Sequence, residues 1–104
     1  MLKSPKFSVG QLVAHLRYGY RGVVAGWNPT CTADDGWYFG NRTQPSREQP
    51  WYHVLVHGGQ HSTYVAEDNL EPYDGGEQVL HPLTRELFAS FSGGCYQPRE
   101  GVQH

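Results

Sequence analysis

The sequence predicts a mainly β protein, a small SH3-like antiparallel β-barrel with one C-terminal helix. Its 104 residues suffice for one compact domain and are too few for two ordinary ones. Glycine (13 residues) and proline (7 residues) are abundant, which is typical of short strands joined by tight turns. Only one segment, late in the chain, has the apolar spacing of a helix. We therefore expect a barrel with the helix packed against an open end.

Five segments have the alternating or β-branched composition of strands. They are residues 11–16, 21–27, 51–57, 61–66 and 70–73. In the first segment, Leu12, Ala14 and Leu16 fall on one predicted face, because side chains alternate along a strand. The third segment is almost entirely β-branched, aromatic or apolar, which predicts a central strand. The last is brief and is ended by proline.

Glycines mark the predicted hairpin turns. Gly19 can adopt positive φ between the first two strands, and Gly58 with Gly59 makes a short turn between the third and fourth. Residues 28–50 show no sustained periodicity and contain several turn formers. A loop of this length in a compact domain is often functional or mobile.

The predicted helix follows a proline. Pro82 suits the first position of a helix. The apolar residues after it recur at helical spacing, and they are Leu83, Leu87, Phe88 and Phe91. Gly93 and Gly94 then predict the end of the helix. We expect the domain at residues 6–96, with flexible tails at residues 1–5 and 97–104.

Charge and composition exclude several classes of protein. Eight Lys+Arg against ten Asp+Glu give a formal charge of -2, so DNA binding would need a local basic patch. The sequence has neither a membrane-spanning apolar run nor a secretory signal. We expect no membrane partner and an intracellular location, cytoplasmic or nuclear. Cys31 and Cys95 are expected as free thiols.

Histidines and cysteines do not form a predicted catalytic or metal site. His53 and His57 lie four residues apart on one strand, roughly 13 Å between Cα atoms, which is too far to share an ion. His57 and His61 can face each other across the turn, but no nearby residue completes a ligand set. Neither cysteine lies in a triad-like arrangement. The prediction is a protein with no metal, no cofactor and no enzymatic activity.

Aromatic residues are the strongest functional signal. Three Trp and seven Tyr exceed what a barrel interior of this size can bury, so some must lie on the surface. They cluster with arginines around the first hairpin, the long loop and its exit, and such residues dominate protein-binding hot spots. The same types can stack on bases or contact phosphates. The candidate binding residues are Arg17, Tyr18, Tyr20, Arg21, Trp27, Trp37, Arg42, Arg47, Trp51 and Tyr52.

Three of the strand aromatics also fit the core. Trp27, Trp51 and Tyr64 lie in predicted strands, where aromatic side chains pack well on the pleated surface. We favour the core for these three. The remaining aromatics then either form a binding surface or cover the long loop onto the barrel.

Several segments between residues 6 and 73 together resemble a known family. They are Val9-Gly10-Gln11-x-Val13-x-His15, Gly19-Tyr20-x-Gly22-Val23-Val24, Asn28-Pro29, Gln49-Pro50-Trp51-Tyr52-His53-Val54 and Thr63-Tyr64-Val65-Ala66-Glu67-x-x-Leu70. In order and spacing they are similar to the HspQ or YccV-like family, also called the hemimethylated-DNA-binding domain. The resemblance implies binding of hemimethylated DNA or a role as a specificity factor for an ATP-dependent protease.

Other segments look most like the family version found at the C-terminus of a eukaryotic F-box-only protein. They are residues 15–20, residues 26–31 and the segment from His81-Pro82 to Phe91-x-Gly93. This resemblance implies a domain of a larger ubiquitin-ligase subunit that recognises a protein partner or degradation substrate. The chain departs from the family in the long loop, which carries Asp34-Asp35-Gly36-Trp37, and in lacking the acidic C-terminal helix of the bacterial members.

Three functions therefore remain open. The first is a protein-recognition module for a ubiquitin-ligase or protease-adaptor degradation system. The second is DNA binding through Arg17, Arg21, Arg42 and Arg47, if these gather on one face. The third is a methyl-lysine-type reader whose aromatic cage would need residues such as Tyr18, Trp27 and Tyr52 to converge beside an acidic group. Self-association is not predicted either way.

Overall fold

The fold is built on a five-stranded antiparallel sheet. A computed structural model of the chain describes residues 4–99. The strands are β1 (Leu12–His15), β2 (Arg21–Asn28), β3 (Trp51–Val56), β4 (Ser62–Ala66) and β5 (Leu70–Pro72). Their order in the sheet is β4-β3-β2-β1-β5, so β4 and β5 are its edges. The mainly β prediction is confirmed. Within residues 4–99 no pairing joins β4 to β5, so a closed barrel is not confirmed.

Both faces of this sheet are buried, because consecutive side chains of a strand point to opposite faces. One face carries a cluster of buried residues made of Phe7, Val13, Val24, Tyr52, Val54, Val65 and Leu70. The opposite face carries a second cluster made of Leu12, Val23, Leu55, Val79, Phe88 and Tyr96. The continuous apolar runs in β2 and β3 are explained by this burial on two sides.

The predicted core face of the first strand is wrong in part. Leu12 is buried, but Leu16 lies beyond the end of β1 and is 55% exposed. Val13 and His15, which alternate with the predicted face, are buried as well. The strand ends at His15 because Nδ1 of its ring accepts two main-chain N–H groups of the following turn. Both faces of β1 therefore contribute to the core.

The C-terminal segment differs from the predicted helix. Only Thr84–Leu87 is helical (α2), and the chain then forms two antiparallel strands, β6 (Phe88–Ser92) and β7 (Cys95–Pro98). Gly93 and Gly94, which the spacing assigns to the end of a helix, form the two-residue turn of this hairpin. Both have positive φ, as tight hairpin turns of this length require.

Packing against the sheet explains why this segment is a hairpin. Phe88 and Tyr96 lie on neighbouring strands with ring centroids 5.1 Å apart, and both belong to the second buried cluster. The Tyr96 hydroxyl also accepts a hydrogen bond from the Val79 N–H at 3.0 Å. β7 extends two residues into the predicted tail, whereas residues 1–3 and 100–104 of the predicted tails lie outside the described residues.

The long connection between β2 and β3 contains a short helix, α1 (Asp35–Gly40). Asp34 caps its start, because Oδ1 accepts the Trp37 N–H at 2.8 Å. The buried Tyr38 of α1 packs on Trp51 at the start of β3, with ring centroids 6.3 Å apart. The helix is too short to show a period in the sequence, and it holds the loop against the ends of β3 and β4.

Candidate recognition groove

A groove of about 440 Å³ lies along the edge strand β4, and we call it the β4 groove. It is lined by β4 itself, by Trp51 and His53 of β3, by the end of β1 with the turn after it, by α1 with the loop that follows, and by Asn69. From the turn come His15, Tyr18 and Tyr20, and from α1 and its loop come Trp37, Arg42 and Pro45. A groove bounded by aromatic side chains with a few polar groups is the usual form of a binding site.

A group of aromatic rings in contact with one another forms one part of the groove. Tyr64 of β4 lies 5.3 Å from the ring of Trp51 and 4.6 Å from that of His53, measured between centroids. The Tyr64 hydroxyl donates to Asn28 Oδ1 at 2.8 Å, which holds the ring in place. Trp37 packs against Tyr64 at 5.7 Å and is 40% exposed, whereas Trp51 is 3% exposed. Trp37 and His53, which is also exposed, are therefore the members of the group that an incoming partner can contact.

The turn after β1 forms another part. Nδ1 of the buried His15 accepts the N–H groups of Arg17 and Tyr18, each at 3.1 Å. Its ring stacks on Tyr18 at 4.7 Å and lies 5.0 Å from Tyr20. The Tyr20 hydroxyl is 2.9 Å from Thr63 Oγ1 on β4. The neutral His15 ring thus organises the two tyrosines beside β4, and Tyr18 remains 52% exposed.

Lowering the pH below about 6.5 is expected to destabilise the protein through His15. Burial, and secondarily the charge of Arg17, lowers the pKa of His15 from its ordinary value of 6.5. Well above pH 6.5 the ring is neutral in both the folded and the unfolded chain, so His15 causes no loss in the free energy of unfolding. As the pH falls, the unfolded chain takes up the proton first, so the free energy of unfolding decreases until the pH passes the lowered pKa of the folded state.

An NMR titration of the His15 ring should give a midpoint below 6.5. Urea unfolding at about pH 7.5 and about pH 5 should show a pH dependence that is smaller in His15→Gln, which cannot take up this proton. A midpoint at or above 6.5 would contradict the prediction.

The predicted arginines do not form one exposed patch. Arg21 donates to the Glu77 and Gln78 carbonyls at 2.9 and 3.0 Å. Arg47 forms a salt bridge with Asp35 at 3.0 Å, and its guanidinium lies over the ring of Tyr38. These two arginines hold loops in place.

Arg17 and Arg42 are the two predicted arginines left for a partner. Both are exposed, and neither side chain makes a hydrogen bond or ion pair to another residue within 4–99. Of the two, Arg42 lines the β4 groove. Two of the four predicted arginines, not all four, therefore remain available to a partner.

Five of the ten predicted binding residues line the β4 groove. They are Tyr18, Tyr20, Trp37, Arg42 and Trp51. Tyr52 is fully buried, and Trp27, on the neighbouring strand, does not line the groove. The structure therefore does not bring Tyr18, Trp27 and Tyr52 together as an aromatic cage.

The core prediction for the strand aromatics is right for one residue of the three. Trp51 is buried, Tyr64 is half-buried at the groove, and Trp27 is 37% exposed. The prediction is wrong for Trp27 because it lies near the end of β2, where the described chain leaves its side chain uncovered.

Sequence reasoning missed the role of β4 and of the histidines at the groove. His15 and His53 both line it. The ring of His15 contacts Tyr18, which the following turn brings close, and the ring of His53 contacts Tyr64, which lies opposite it on the paired strand. The position of β4 at an edge depends on the strand order, for which the segment itself carries no signal. The turn that follows His15 was the one sequence feature that could have indicated a role for this histidine at the site.

The remaining chemistry-bearing residues lie elsewhere or have structural partners. Cys31 and Cys95 are free and half-buried, and neither lines the β4 groove. Nδ1 of His57 accepts the Leu80 N–H at 3.0 Å. Over the described range 4–99, no three His, Cys, Asp or Glu side chains are grouped to hold a metal ion. No helix in that range has the length and apolar character needed to cross a bilayer.

The chain is thus a small, mainly β domain with an aromatic groove at one edge of its sheet. The chain belongs to the family described as hemimethylated DNA-binding protein YccV like, whose model matches residues 5–95. It is 35% identical over 100 residues to F-box only protein 21 of Homo sapiens, and the same values apply to the proteins of that name from Pongo abelii and Mus musculus. The aligned region covers 93% of this chain and 16% of each relative, so the chain spans about a sixth of their length.

Proposed function

We propose that this chain is a non-catalytic recognition module that binds a segment of a protein partner or degradation substrate in the β4 groove. The observation that carries the proposal is the exposure of Trp37 and Tyr18 on a groove that also includes Arg42. Trp, Tyr and Arg are the residues that most often dominate protein-binding energies. The Trp37 ring already packs against Tyr64, and the Tyr18 ring already packs against His15, so these side chains lose little conformational entropy on binding.

The similarity to the F-box only proteins supports a role in a ubiquitin-ligase or protease-adaptor degradation system. Because the chain corresponds to about a sixth of those relatives, the module would act as one part of a larger assembly. A binding role without catalysis fits the groove chemistry. Nδ1 of His15 is already occupied by two N–H groups, and neither cysteine lies in the groove.

Replacing Trp37 by alanine is expected to weaken binding of a protein segment by more than about 1 kcal/mol, a factor of at least about five. The test uses the full 104-residue chain and a phage-displayed library of linear ten-residue peptides. The dissociation constant of the tightest selected peptide is then measured by fluorescence anisotropy. Phe39→Ala is the matched control, because Phe39 is an aromatic residue of the same helix, is 67% exposed and does not line the groove.

Two outcomes would contradict the proposal. One is a library that yields no peptide with saturable binding. The other is a selected peptide that binds the wild type and Trp37→Ala equally well. Loss of binding in Trp37→Ala together with unchanged binding in Phe39→Ala supports the proposal.

DNA binding is the second candidate function. The family description and the exposed, unengaged Arg17 and Arg42 favour it. Two phosphate contacts would give a slope of roughly −2 for log affinity against log salt concentration. The test is a titration with hemimethylated and unmethylated duplexes at two salt concentrations, comparing the wild type with the Arg17→Glu, Arg42→Glu pair. Saturable, salt-sensitive and methylation-dependent binding that the pair abolishes would favour DNA; the absence of such binding leaves the protein-recognition proposal.

A further inference from the structure

The hydrogen bonds between β3 and β4 determine which residues of β4 face the free edge. The Val56 N–H donates to the His61 carbonyl at 3.3 Å, and the Glu67 N–H donates to the Pro50 carbonyl at 2.9 Å. In an antiparallel pair, hydrogen-bonded and non-hydrogen-bonded residues alternate. The odd-numbered residues from 61 to 67 therefore bond to β3. The even-numbered residues direct their N–H and C=O groups away from the sheet.

Two residues of β4 present free main-chain groups to the β4 groove. Ser62 is exposed, Tyr64 is half-buried, and both line the groove. No hydrogen bond beyond the sheet ladder uses the main-chain N–H or C=O of either residue within the described part of the chain. The main-chain groups of Ala66 also point away from β3, but this residue is only 1% exposed and is therefore not accessible to a partner. The edge thus offers two donors and two acceptors at the two-residue spacing of an added strand.

The two edges of the sheet differ in how they are protected. Exposed edges are usually blocked by charged residues or proline, because unpaired strand groups invite pairing with another chain. β5 has both kinds of protection, since Glu71 and Pro72 are two of its three residues. β4 has the sequence STYVA, with neither a charge nor a proline. An edge that is unprotected and also lies in an aromatic groove is suited to accept a strand.

The charge of the groove indicates what kind of strand it accepts. Among the described residues that line it there is no Asp or Glu, and Arg42 is the one side chain with a permanent charge. The whole chain, in contrast, has a formal charge of -2. The groove is therefore a local site of positive charge, and it complements a partner segment that carries a carboxylate.

We propose that an extended, acidic segment of a partner protein adds to β4 as a further strand. Its main chain bonds to Ser62 and Tyr64, its apolar side chains contact Trp37 and Tyr18, and a carboxylate faces Arg42. This inference rests on the proposed function and specifies its ligand. Pairing of this kind obtains affinity from the main chain and selectivity from alternate side chains.

The decisive variant is Ser62→Pro. Because the Ser62 N–H points away from β3, proline removes one groove-facing donor without removing a bond of the sheet ladder. The probe is the tightest linear ten-residue peptide selected on the wild-type chain, labelled with fluorescein. We expect Ser62→Pro to weaken binding at least about tenfold, whereas Ser62→Ala, which keeps the N–H, changes it less than about twofold.

The charge is tested with a second matched pair. Arg42→Glu should weaken the same peptide at least about fivefold. Arg85→Glu is the control, because Arg85 is exposed on α2 and lines a separate cavity beside β6. The selected peptides should also contain at least one Asp or Glu.

A measurement on the wild-type protein keeps the test independent of the folding of any variant. Single N-methylation along the peptide should abolish binding at alternate positions only, because every second amide of an added strand faces β4. Methylation effects without a period of two, or equal binding by Ser62→Pro and wild type, would overturn strand addition. If Trp37→Ala still weakens that peptide, the proposed function stands although strand addition is wrong.

Two further results would overturn the assignment of the occupant. A concentration-dependent dimer in sedimentation velocity that Ser62→Pro abolishes would show that the edge pairs with a second copy of this chain. Unchanged binding in Arg42→Glu would show that the segment is not selected for its acidity.

Discussion

Replacing Gly10 by alanine is expected to lower the free energy of unfolding by about 3 kcal/mol or more. Gly10 has φ +95°, which costs a residue with a Cβ roughly 1–3 kcal/mol. A Cβ at this position would also lie 2.0 Å from the Tyr96 carbonyl oxygen, so the main chain of β7 must move, at a further cost of roughly 1–3 kcal/mol. The Gly10 N–H bonds to the Val24 carbonyl, and the Gly10 carbonyl accepts the Tyr96 N–H, each at 2.8 Å. The substitution therefore separates the C-terminal hairpin from the sheet.

Urea unfolding followed by tryptophan fluorescence measures the effect. Gly58→Ala is the matched control, since Gly58 has a similar φ of +82° but a Cβ added there would meet no atom of the described chain within 4 Å. It should cost only the backbone strain, roughly 1–3 kcal/mol. Equal losses in the two variants would show that the close approach of Gly10 to β7 contributes nothing.

Replacing Glu67 by alanine is expected to cost about 3 kcal/mol of stability. Oε1 of this buried carboxylate accepts the Tyr52 hydroxyl at 2.6 Å and the Lys6 N–H at 2.8 Å. Burial, reinforced by the hydrogen bond to Glu67, raises the pKa of Tyr52, so the phenol remains a donor throughout the neutral range. Hydrogen bonds to charged groups contribute roughly 1.5–3 kcal/mol each, and removing the acceptor leaves the buried Tyr52 hydroxyl without a partner for its proton.

The control for Glu67→Ala is Glu71→Ala, because Glu71 is exposed on β5 and should change stability by less than about 0.5 kcal/mol. Both variants are compared with the wild type by urea unfolding at neutral pH. Hydrogen exchange should also show faster exchange of the Lys6 and Phe7 amides in Glu67→Ala, because the Lys6 N–H loses its bond to Glu67 and the Tyr52 hydroxyl, to which both amides also donate, loses the acceptor that fixes it. A loss below about 1 kcal/mol would contradict the role assigned to this carboxylate.

The strands were predictable because their signals are local. Alternation, β-branched composition and turn glycines occur within each segment, and the five predicted strands match β1 to β5 to within one or two residues at each end. The C-terminal helix was not predictable in this way. Leu83, Leu87 and Phe91 have helical spacing, yet Gly93 and Gly94 fit a hairpin turn as well as a helix end. Burial of Phe88 and Tyr96 on the sheet selects the hairpin, and no local pattern contains that information.

The candidate site was predictable only as a set of residue types. A surplus of aromatic residues indicates a binding surface, and Tyr18 and Trp37 are indeed exposed at the β4 groove. The roles of the arginines depend on distant partners. Arg21, for example, bonds to carbonyl groups 56 and 57 positions later in the chain.

Composition and short-range pattern are thus sufficient for the mainly β class, the strand segments and the presence of excess aromatic side chains, and the resemblance of the ordered motifs indicates the family. The order of the strands is a property of the assembled sheet. It leaves β4 at an edge and buries Tyr52, and the packing of α1 on that sheet brings Trp37 to the same groove as the turn after β1. The physical reason is that edge exposure and groove formation depend on long-range pairing, whereas alternation and turn chemistry act between near neighbours.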